Sequence, residues 1–184
     1  ETPEDGGLFG CAPRRFSPGV EPMKLLLLHV PKRNQVWAGV PNVFNDRFAY
    51  LFPPLAVMYL SSYLKQRSRH QVSVLDAVVE DLDYPEVGRR AAELAPDVVG
   101  VSATSSHSLV DVRRSIEAVR AARPGAFVVL GGAHVNSFPE LAVRLPGVDA
   151  AIQGDGEEPL RLLLDTLEGG GDLRQVPGVV LLEG

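Results

Sequence analysis

Small, polar and glycine residues follow each of five predicted strands, and they are the residues best suited to holding a ligand. The third strand is followed by residues 102–106 (SATSS), the fourth by 131–134 (GGAH) and the fifth by 154–157 (GDGE). Pro31 follows the first strand, and Asp76-Ala77 closes the second. Glycine lets backbone approach a ligand closely, and hydroxyl groups donate and accept hydrogen bonds with little volume. This pattern indicates recognition of a ligand, and we assign no side chain as a catalytic acid or base.

The elements that must position these residues are short apolar runs alternating with amphipathic stretches. Strands are predicted at residues 24–29, 72–76, 97–101, 126–130 and 148–152, with a weaker candidate at 179–182. Nearly continuous apolar strands are typical of a sheet covered on both faces. Leu109, Val112, Ile116 and Val119 follow the spacing of a buried helix face. The sequence therefore predicts an α/β fold: a flavodoxin-like (Rossmann-like), doubly wound, mainly parallel five-stranded sheet with helices on both faces.

Two further helices are predicted from the residues at their N-termini. Pro53-Pro54 is expected to open a helix, because proline is tolerated in a first helical turn. Residues 137–140 (SFPE) have the form of a capping box and predict a helix over residues 137–145. From Val30 to Phe52 the chain lacks periodicity, and this connection is much longer than usual for an α/β protein. Its aromatic residues, Phe44, Phe48, Tyr50 and Phe52, are unusual for a solvated linker.

In an open parallel sheet, ligands bind at the carboxyl ends of the strands, near the point where strand order reverses. The residues after the strands therefore predict a deep, narrow, neutral slot between two strand ends. Neither of the common glycine-rich phosphate motifs occurs in the sequence. The expected ligand is large and has an uncharged part that enters the fold.

Composition narrows the function classes. The 184 residues carry a net charge of −5, which argues against nucleic acid as a partner. The single cysteine, Cys11, excludes a cysteine-based zinc site or iron–sulfur cluster within these residues, and no metal ligands are predicted among the side chains. No apolar run approaches the ~20 residues of a membrane span, so a cytoplasmic protein is expected. Residues 1–22 are interpreted as a poorly structured leader or linker, and residues 23–184 as one domain.

Five sequence blocks, in this order, resemble the N-terminal cobalamin-binding domain of B12-dependent radical SAM enzymes. The blocks are residues 52–64 (FPPLAVMYLSSYL), 74–77 (VLDA), 96–102 (PDVVGVS), 129–135 (VLGGAHV) and 148–158 (VDAAIQGDGEE). The family usually has Gly-Glu-Gly-Glu where this chain has GDGE. The resemblance implies a domain that holds cobalamin (B12) for a separate radical SAM catalytic domain in a methyltransferase or cyclase. That other domain would carry the [4Fe-4S] cluster and S-adenosylmethionine.

The resemblance also implies roles for particular residues. Ser102 and Thr104 would line a slot for the dimethylbenzimidazole tail of the cofactor, and Gly131-Gly132 would let its nucleotide loop lie against the backbone. Residues 154–157 would contact the tail or the corrin amides, and the connection after the first strand would cover one side of the corrin. The complete set of expected cofactor-binding residues is Pro31, Asp76, Ala77, Ser102, Thr104, Ser105, Gly131, Gly132, His134, Gly154, Asp155, Gly156 and Glu157.

One position separates the subclasses of cobalamin domain. Mutase and methionine-synthase types place a cobalt-ligating histidine in the pattern D-x-H-x-x-G after the second strand. Residues 76–81 (DAVVED) have Val78 at the histidine position and Asp81 at the glycine position. The resemblance therefore implies base-off, His-off binding. Of the histidines in the chain, His29 is expected in a strand and His70 on the surface.

Two alternatives remain open at this point. The first is a regulatory or interaction module that keeps the fold without the cofactor, with aromatic residues of the long connection filling the slot. The second is a flavin- or nucleotide-binding protein of flavodoxin shape. This second interpretation is disfavoured because a flavodoxin has its hydroxyl-rich phosphate loop directly after the first strand, where this chain has residues 30–34 (VPKRN).

Overall fold

A six-stranded sheet forms the centre of the computed structural model, which describes residues 22–34 and 53–182. The strand order is β2-β1-β3-β4-β5-β6. The strands β1 to β5 are parallel, and β6 runs antiparallel to β5. The bounds are β1 Lys24–His29, β2 Gln71–Asp76, β3 Val98–Ser102, β4 Phe127–Gly131, β5 Ala150–Ile152 and β6 Val179–Leu181.

Helices cover both faces of the sheet. They are α1 Leu55–Arg67, α2 Tyr84–Leu94, α3 Leu109–Ala122, α4 Ala133–Ser137, α5 Pro139–Val143 and α6 Glu157–Gly169, with short 3-10 helices at Ser106–Ser108 and Leu173–Gln175. In the described part of the chain, no helix combines the length and apolar character needed to cross a membrane. The predicted doubly wound α/β fold is confirmed, and the weak strand candidate forms the sixth, antiparallel strand. The order of the five parallel strands is that of flavodoxin-like folds.

The side chains of β1 alternate between the two faces of the sheet, and each face has its own hydrophobic core. Leu26 and Leu28 point to the face covered by α2, α3, α4 and α5. Leu25 and Leu27 point to the opposite face, which α1 and α6 cover. All four leucines are 2% exposed or less, because β1 lies between two neighbouring strands and both of its faces are covered.

The capping boxes differ from the prediction. Asp83 caps α2, since its side chain accepts the Glu86 N–H and the Glu86 side chain accepts the Asp83 N–H. The predicted box at Ser137 is wrong. Ser137 is the last residue of α4, and its hydroxyl donates to the Ala133 carbonyl within the same helix at 3.3 Å. The predicted helix over residues 137–145 is consequently replaced by the end of α4 and the short α5.

His70 is not on the surface as predicted, since the residue is only 5% exposed. Its Nδ1 accepts the Met23 backbone N–H at 3.2 Å, so the ring proton is on Nε2, which donates to Asp165 Oδ1 at 3.0 Å. Glu168 lies close enough to complete a three-residue group of metal-ligating types. Metal binding at Nε2 would require that proton to leave, and therefore we interpret His70 as a structural link between β2 and α6.

The segment after β1 is anchored by a buried aspartate. Asp111, fully buried in the first turn of α3, accepts hydrogen bonds from the backbone N–H groups of Arg33 and Asn34. It also accepts from the Asn34 side-chain amide at 2.9 Å and from the Tyr84 hydroxyl at 2.5 Å. Burial and the bond to Asp111 raise the pKa of Tyr84 to about 12. These contacts fix Arg33 and Asn34 against α2 and α3 at the carboxyl edge of the sheet.

We expect Asp111→Asn to lower the free energy of unfolding by about 2 to 3 kcal/mol, because an amide cannot accept from all of these donors and its own NH₂ would face them. Urea denaturation followed by circular dichroism measures the loss. The matched control is Glu117→Gln, the same carboxylate-to-amide change at an exposed position on α3, which should stay near the wild type. Equal stability of the two variants would contradict the anchoring role of Asp111.

Candidate cofactor-binding site

A cavity of about 210 Å³ lies over one face of β3, β4 and β5, beneath α1 and α6. It reaches the carboxyl edge of the sheet, where residues 154–157 form part of its rim. The cavity is lined by Leu27, Ala56, Val57, Leu60, Gly100, Val101, Ser102, Val129, Gly131, Gly132, Ile152, Gly154, Asp155, Gly156, Glu157 and Leu160. The slot predicted between strand ends is therefore observed as a cavity over the sheet face that opens at those ends.

Two glycines lie in the floor of the cavity. Side chains alternate between the faces of a strand, so Gly100 of β3 and Gly131 of β4 belong to the same face as Val129. Gly100 is the register partner of Val129, and Gly131 is the partner of Ser102. A Cβ placed on Gly131 would meet no atom within 4 Å, whereas a Cβ on Gly100 would lie 3.0 Å from Leu27 Cδ2. The missing side chain of Gly131 therefore leaves open space beneath the helices, and that of Gly100 makes room for Leu27, which also lines the cavity.

The roof comes from α1 and α6, which are tied together at the surface. Tyr63 of α1 donates its hydroxyl proton to Glu158 Oε2 of α6 at 2.7 Å. Arg161 binds both oxygens of the same carboxylate, at 2.8 and 2.6 Å. The hydrogen bonds from Arg161 and from Tyr63 lower the pKa of Glu158 to about 2. Glu158 thus joins the two helices of the roof as a carboxylate at neutral pH.

The interior of the cavity is apolar and its rim is polar. Leu27, Val129 and Ile152 are at most 4% exposed. Ser102 and the loop of residues 154–157 supply hydroxyl, carboxylate and backbone groups at the opening. Sites for whole small molecules usually measure ~300–1,000 Å³, so this cavity is suited to one part of a larger ligand. The residues fit an uncharged end group inside, with the remainder of the ligand lying across the carboxyl edge.

Seven of the thirteen expected site residues line this cavity: Ser102, Gly131, Gly132, Gly154, Asp155, Gly156 and Glu157. The other six do not: Pro31, Asp76, Ala77, Thr104, Ser105 and His134. Thr104 is exposed, and Ser105 belongs to the cap of the following 3-10 helix. His134 is buried, with its Nδ1 3.1 Å from Ser106 Oγ. The aromatic residues of the long connection lie outside the described residues, and filling of the slot by them stays an untested alternative.

The turn after β2 is organised by Asp76. One oxygen of its carboxylate lies 2.9 Å from His29 Nδ1 and accepts the backbone N–H groups of Val78 and Val79. Val78, at the histidine position of the D-x-H-x-x-G pattern, is 4% exposed. Asp81, at the corresponding glycine position, has a φ of 51°, in the left-handed region that glycine favours. The turn therefore has an aliphatic side chain where a ligating histidine would be.

Sequence reasoning missed the lining residues inside the strands and helices. Gly100 had a usable signal, because a glycine within a strand often marks a site where a ligand approaches the backbone. Leu27, Val57 and Leu60 had none, since an apolar residue facing a cavity has the same pattern as one facing a packed core.

An open, mainly parallel sheet whose five parallel strands are in flavodoxin order, with a cavity at its carboxyl edge, defines a cofactor-binding α/β domain. The particular family follows from comparison with known proteins: the B12 binding domain family matches residues 41–164, and the chain belongs to it. It is a B12-binding domain.

Similar proteins include two curated relatives and a solved structure. An uncharacterised methyltransferase of Pyrococcus horikoshii is 34% identical over 128 residues, which is 69% of this chain and 27% of that protein. The anaerobic magnesium-protoporphyrin IX monomethyl ester cyclase of Rubrivivax gelatinosus is 30% identical over 120 residues, covering 65% of this chain and 21% of the cyclase. The chain thus spans about a quarter of the length of these relatives.

The solved structure is the radical S-adenosylmethionine methyltransferase TsrM of Kitasatospora setae, with cobalamin and a [4Fe-4S] cluster bound. Its TM-score is 0.69 at 23% identity, and the match covers 88% of this chain and 27% of TsrM. This likeness shows a shared fold.

We expect Gly132→Ala to destabilise the fold and Gly131→Ala to leave stability close to the wild type. Gly132 has a φ of 106°, and a Cβ there would lie 2.6 Å from the Ala103 carbonyl oxygen, whereas a Cβ on Gly131 meets open space. Strain and backbone displacement should cost Gly132→Ala about 2 kcal/mol or more. Urea denaturation of both variants measures the difference. Similar stability of the two would show that the turn after β4 tolerates a side chain at either glycine.

Proposed function

We propose that this chain is the cobalamin-binding domain of a B12-dependent radical SAM methyltransferase or cyclase, and that it holds the cofactor base-off without a histidine from the protein. The observation that carries the proposal is the cavity over Gly100 and Gly131, which is closed by two helices and open at the carboxyl edge. Its shape and polarity suit the benzimidazole tail of the cofactor in the interior. The corrin would then lie across the strand ends.

The chain's own residues bind and orient the cofactor in this proposal. Apolar side chains such as Leu27 and Ile152 exclude water from the interior of the cavity. Ser102 and residues 154–157 offer polar groups at the rim for the sugar, the phosphate or the corrin amides. The remaining expected contacts, at Pro31, Asp76, Ala77, Thr104, Ser105 and His134, stay predictions for the part of the corrin outside the cavity. Cobalamin, when bound, supplies a cobalt centre that can carry a methyl group for a neighbouring catalytic domain.

The wider activity rests on the relatives. The named relatives include a methyltransferase and a cyclase, and TsrM carries a [4Fe-4S] cluster with its cobalamin. We propose that the same arrangement applies here, with the cluster and S-adenosylmethionine held by a separate catalytic domain. The cytoplasmic location expected from the sequence stays a prediction.

We expect the purified chain to retain hydroxocobalamin through desalting, and Gly131→Leu to bind it at least tenfold more weakly, because the leucine side chain would fill the cavity. Visible absorbance of the retained corrin and a titration measure the binding. The matched control is Gly169→Leu, the same change at an exposed residue at the end of α6, where an added Cβ would meet no atom within 4 Å.

The outcomes separate the alternatives. Loss of the corrin from the wild-type chain, with its circular dichroism spectrum that of a folded protein, would favour the module that lacks a cofactor. Binding of flavin mononucleotide instead would favour the flavodoxin-like alternative. Equal binding by Gly131→Leu and the wild type would show that the cavity does not hold the cofactor.

We expect the electron paramagnetic resonance spectrum of the reduced cob(II)alamin complex to lack nitrogen splitting, because Val78 occupies the position of a ligating histidine. A nitrogen ligand below the cobalt would split the signal. Nitrogen splitting in the bound state would contradict base-off, His-off binding, and its loss in His29→Gln or His134→Gln would then identify a ligating residue.

A further inference from the structure

The short helix α4 lies between the two loops that follow β3 and β5. Backbone hydrogen bonds continue the pairing of β3 with β4 as far as α4. The Ala103 N–H donates to the Gly131 carbonyl at 2.8 Å, and the His134 N–H donates to the Ala103 carbonyl at 3.1 Å. Val135 is fully buried in the core beneath the helix. The position of α4 is therefore fixed by backbone contacts and by packing.

Neighbouring side chains of α4 reach the two loops. His134 Nδ1 lies 3.1 Å from Ser106 Oγ after β3, and its ring lies 5.5 Å from the ring of Phe138. Asn136 Oδ1 accepts the backbone N–H of Gly154 after β5 at 2.8 Å. The Asn136 carbonyl also accepts from the Gln153 side-chain amide at 3.4 Å. The helix thus holds both loops through His134 and Asn136.

The contact to Gly154 bears directly on the cavity rim. Gly154 has a φ of 92° and lines the cavity. It begins the rim loop, residues 154–157, whose last residue, Glu157, is also the first residue of α6. The strand before this loop, β5, pairs with β4 at two positions and with β6 at three, and the Gln153 N–H donates to the Gly178 carbonyl at 2.8 Å. This backbone pairing ends at Gln153, so the hydrogen bond from Asn136 restrains the first residue beyond it, Gly154.

We propose that Asn136 is a positioning residue for the cofactor: through Oδ1 it fixes Gly154, and with it the rim loop of residues 154–157, at the width that the ligand requires. The inference rests on the proposed function. It assigns Asn136 no contact with the ligand, and it interprets His134 as the residue that holds α4 to the loop after β3.

Three variants test the role of the Asn136 oxygen. Asn136→Ala removes the acceptor, and we expect cobalamin to bind roughly three- to tenfold more weakly, the range of one hydrogen bond. Asn136→Asp keeps an oxygen that accepts the Gly154 N–H while removing the amide NH₂, and we expect binding within about twofold of the wild type. Ser137→Ala is the neighbouring control, because the Ser137 hydroxyl bonds within its own helix at an exposed position.

A second measurement does not depend on the cofactor. Hydrogen exchange of the Gly154 amide, followed by NMR on the chain without ligand, should be slow in the wild type and in Asn136→Asp and faster in Asn136→Ala. Failure of the wild-type chain to bind cobalamin would overturn the proposed function, while the exchange rates would still decide whether Asn136 fixes Gly154.

Three results would overturn the inference. The first is wild-type affinity in Asn136→Ala. The second is Asn136→Asp binding as weakly as Asn136→Ala, which would indicate that the amide NH₂ contacts the ligand directly. The third is an unchanged exchange rate at Gly154 in Asn136→Ala.

Discussion

The absence of side chains at two neighbouring positions of the sheet is the constraint on which the site depends. Gly100 and Gly131 lie on the same face of adjacent strands: Gly131 faces open space beneath α1 and α6, and Gly100 makes room for Leu27, which lines the same cavity. A sealed void of 210 Å³ would cost about 5 kcal/mol at ~24 cal/mol per Å³, a large part of a domain's stability. This cavity opens at the carboxyl edge, so it can exchange water for a ligand.

Hydrogen bonds to loop backbone place the residues around that opening. Asp111 holds the segment after β1, Asp76 holds the turn after β2, and Asn136 holds the loop after β5. Each of these side chains accepts hydrogen bonds from backbone N–H groups beyond the strand ends, where the sheet no longer supplies a partner. The carboxyl edge is therefore ordered by short polar side chains, while the amino edge uses the His70 link between β2 and α6.

The sequence was sufficient for the fold because burial on both faces gives the parallel strands a strong pattern. The first strand, Lys24–His29, was predicted with its observed bounds, and each other strand within two residues. The sequence was less informative about features that depend on tertiary contacts, namely a helix cap and the burial of a histidine. Ser137 and Glu140 have the spacing of a capping box but belong to two successive helices, whereas Asp83 and Glu86 form the box in the structure. The burial of His70 follows from its packing against α6, which no local pattern records.

The sequence predicted a slot at the carboxyl ends of the strands, where the cavity opens, and gave no sign of the sheet face over which the cavity extends. Residues after the strands can be recognised in the sequence, and seven of them line the cavity. The apolar residues of its floor and roof have the same pattern as ordinary core residues. A ligand group in the cavity would pack directly against Leu27, Val129 and Ile152, and it would therefore become part of the hydrophobic core beneath α1 and α6. The melting temperature would then rise with the concentration of the bound ligand by mass action. In the domain without the ligand, α1 and α6 would be the first elements cleaved by a protease.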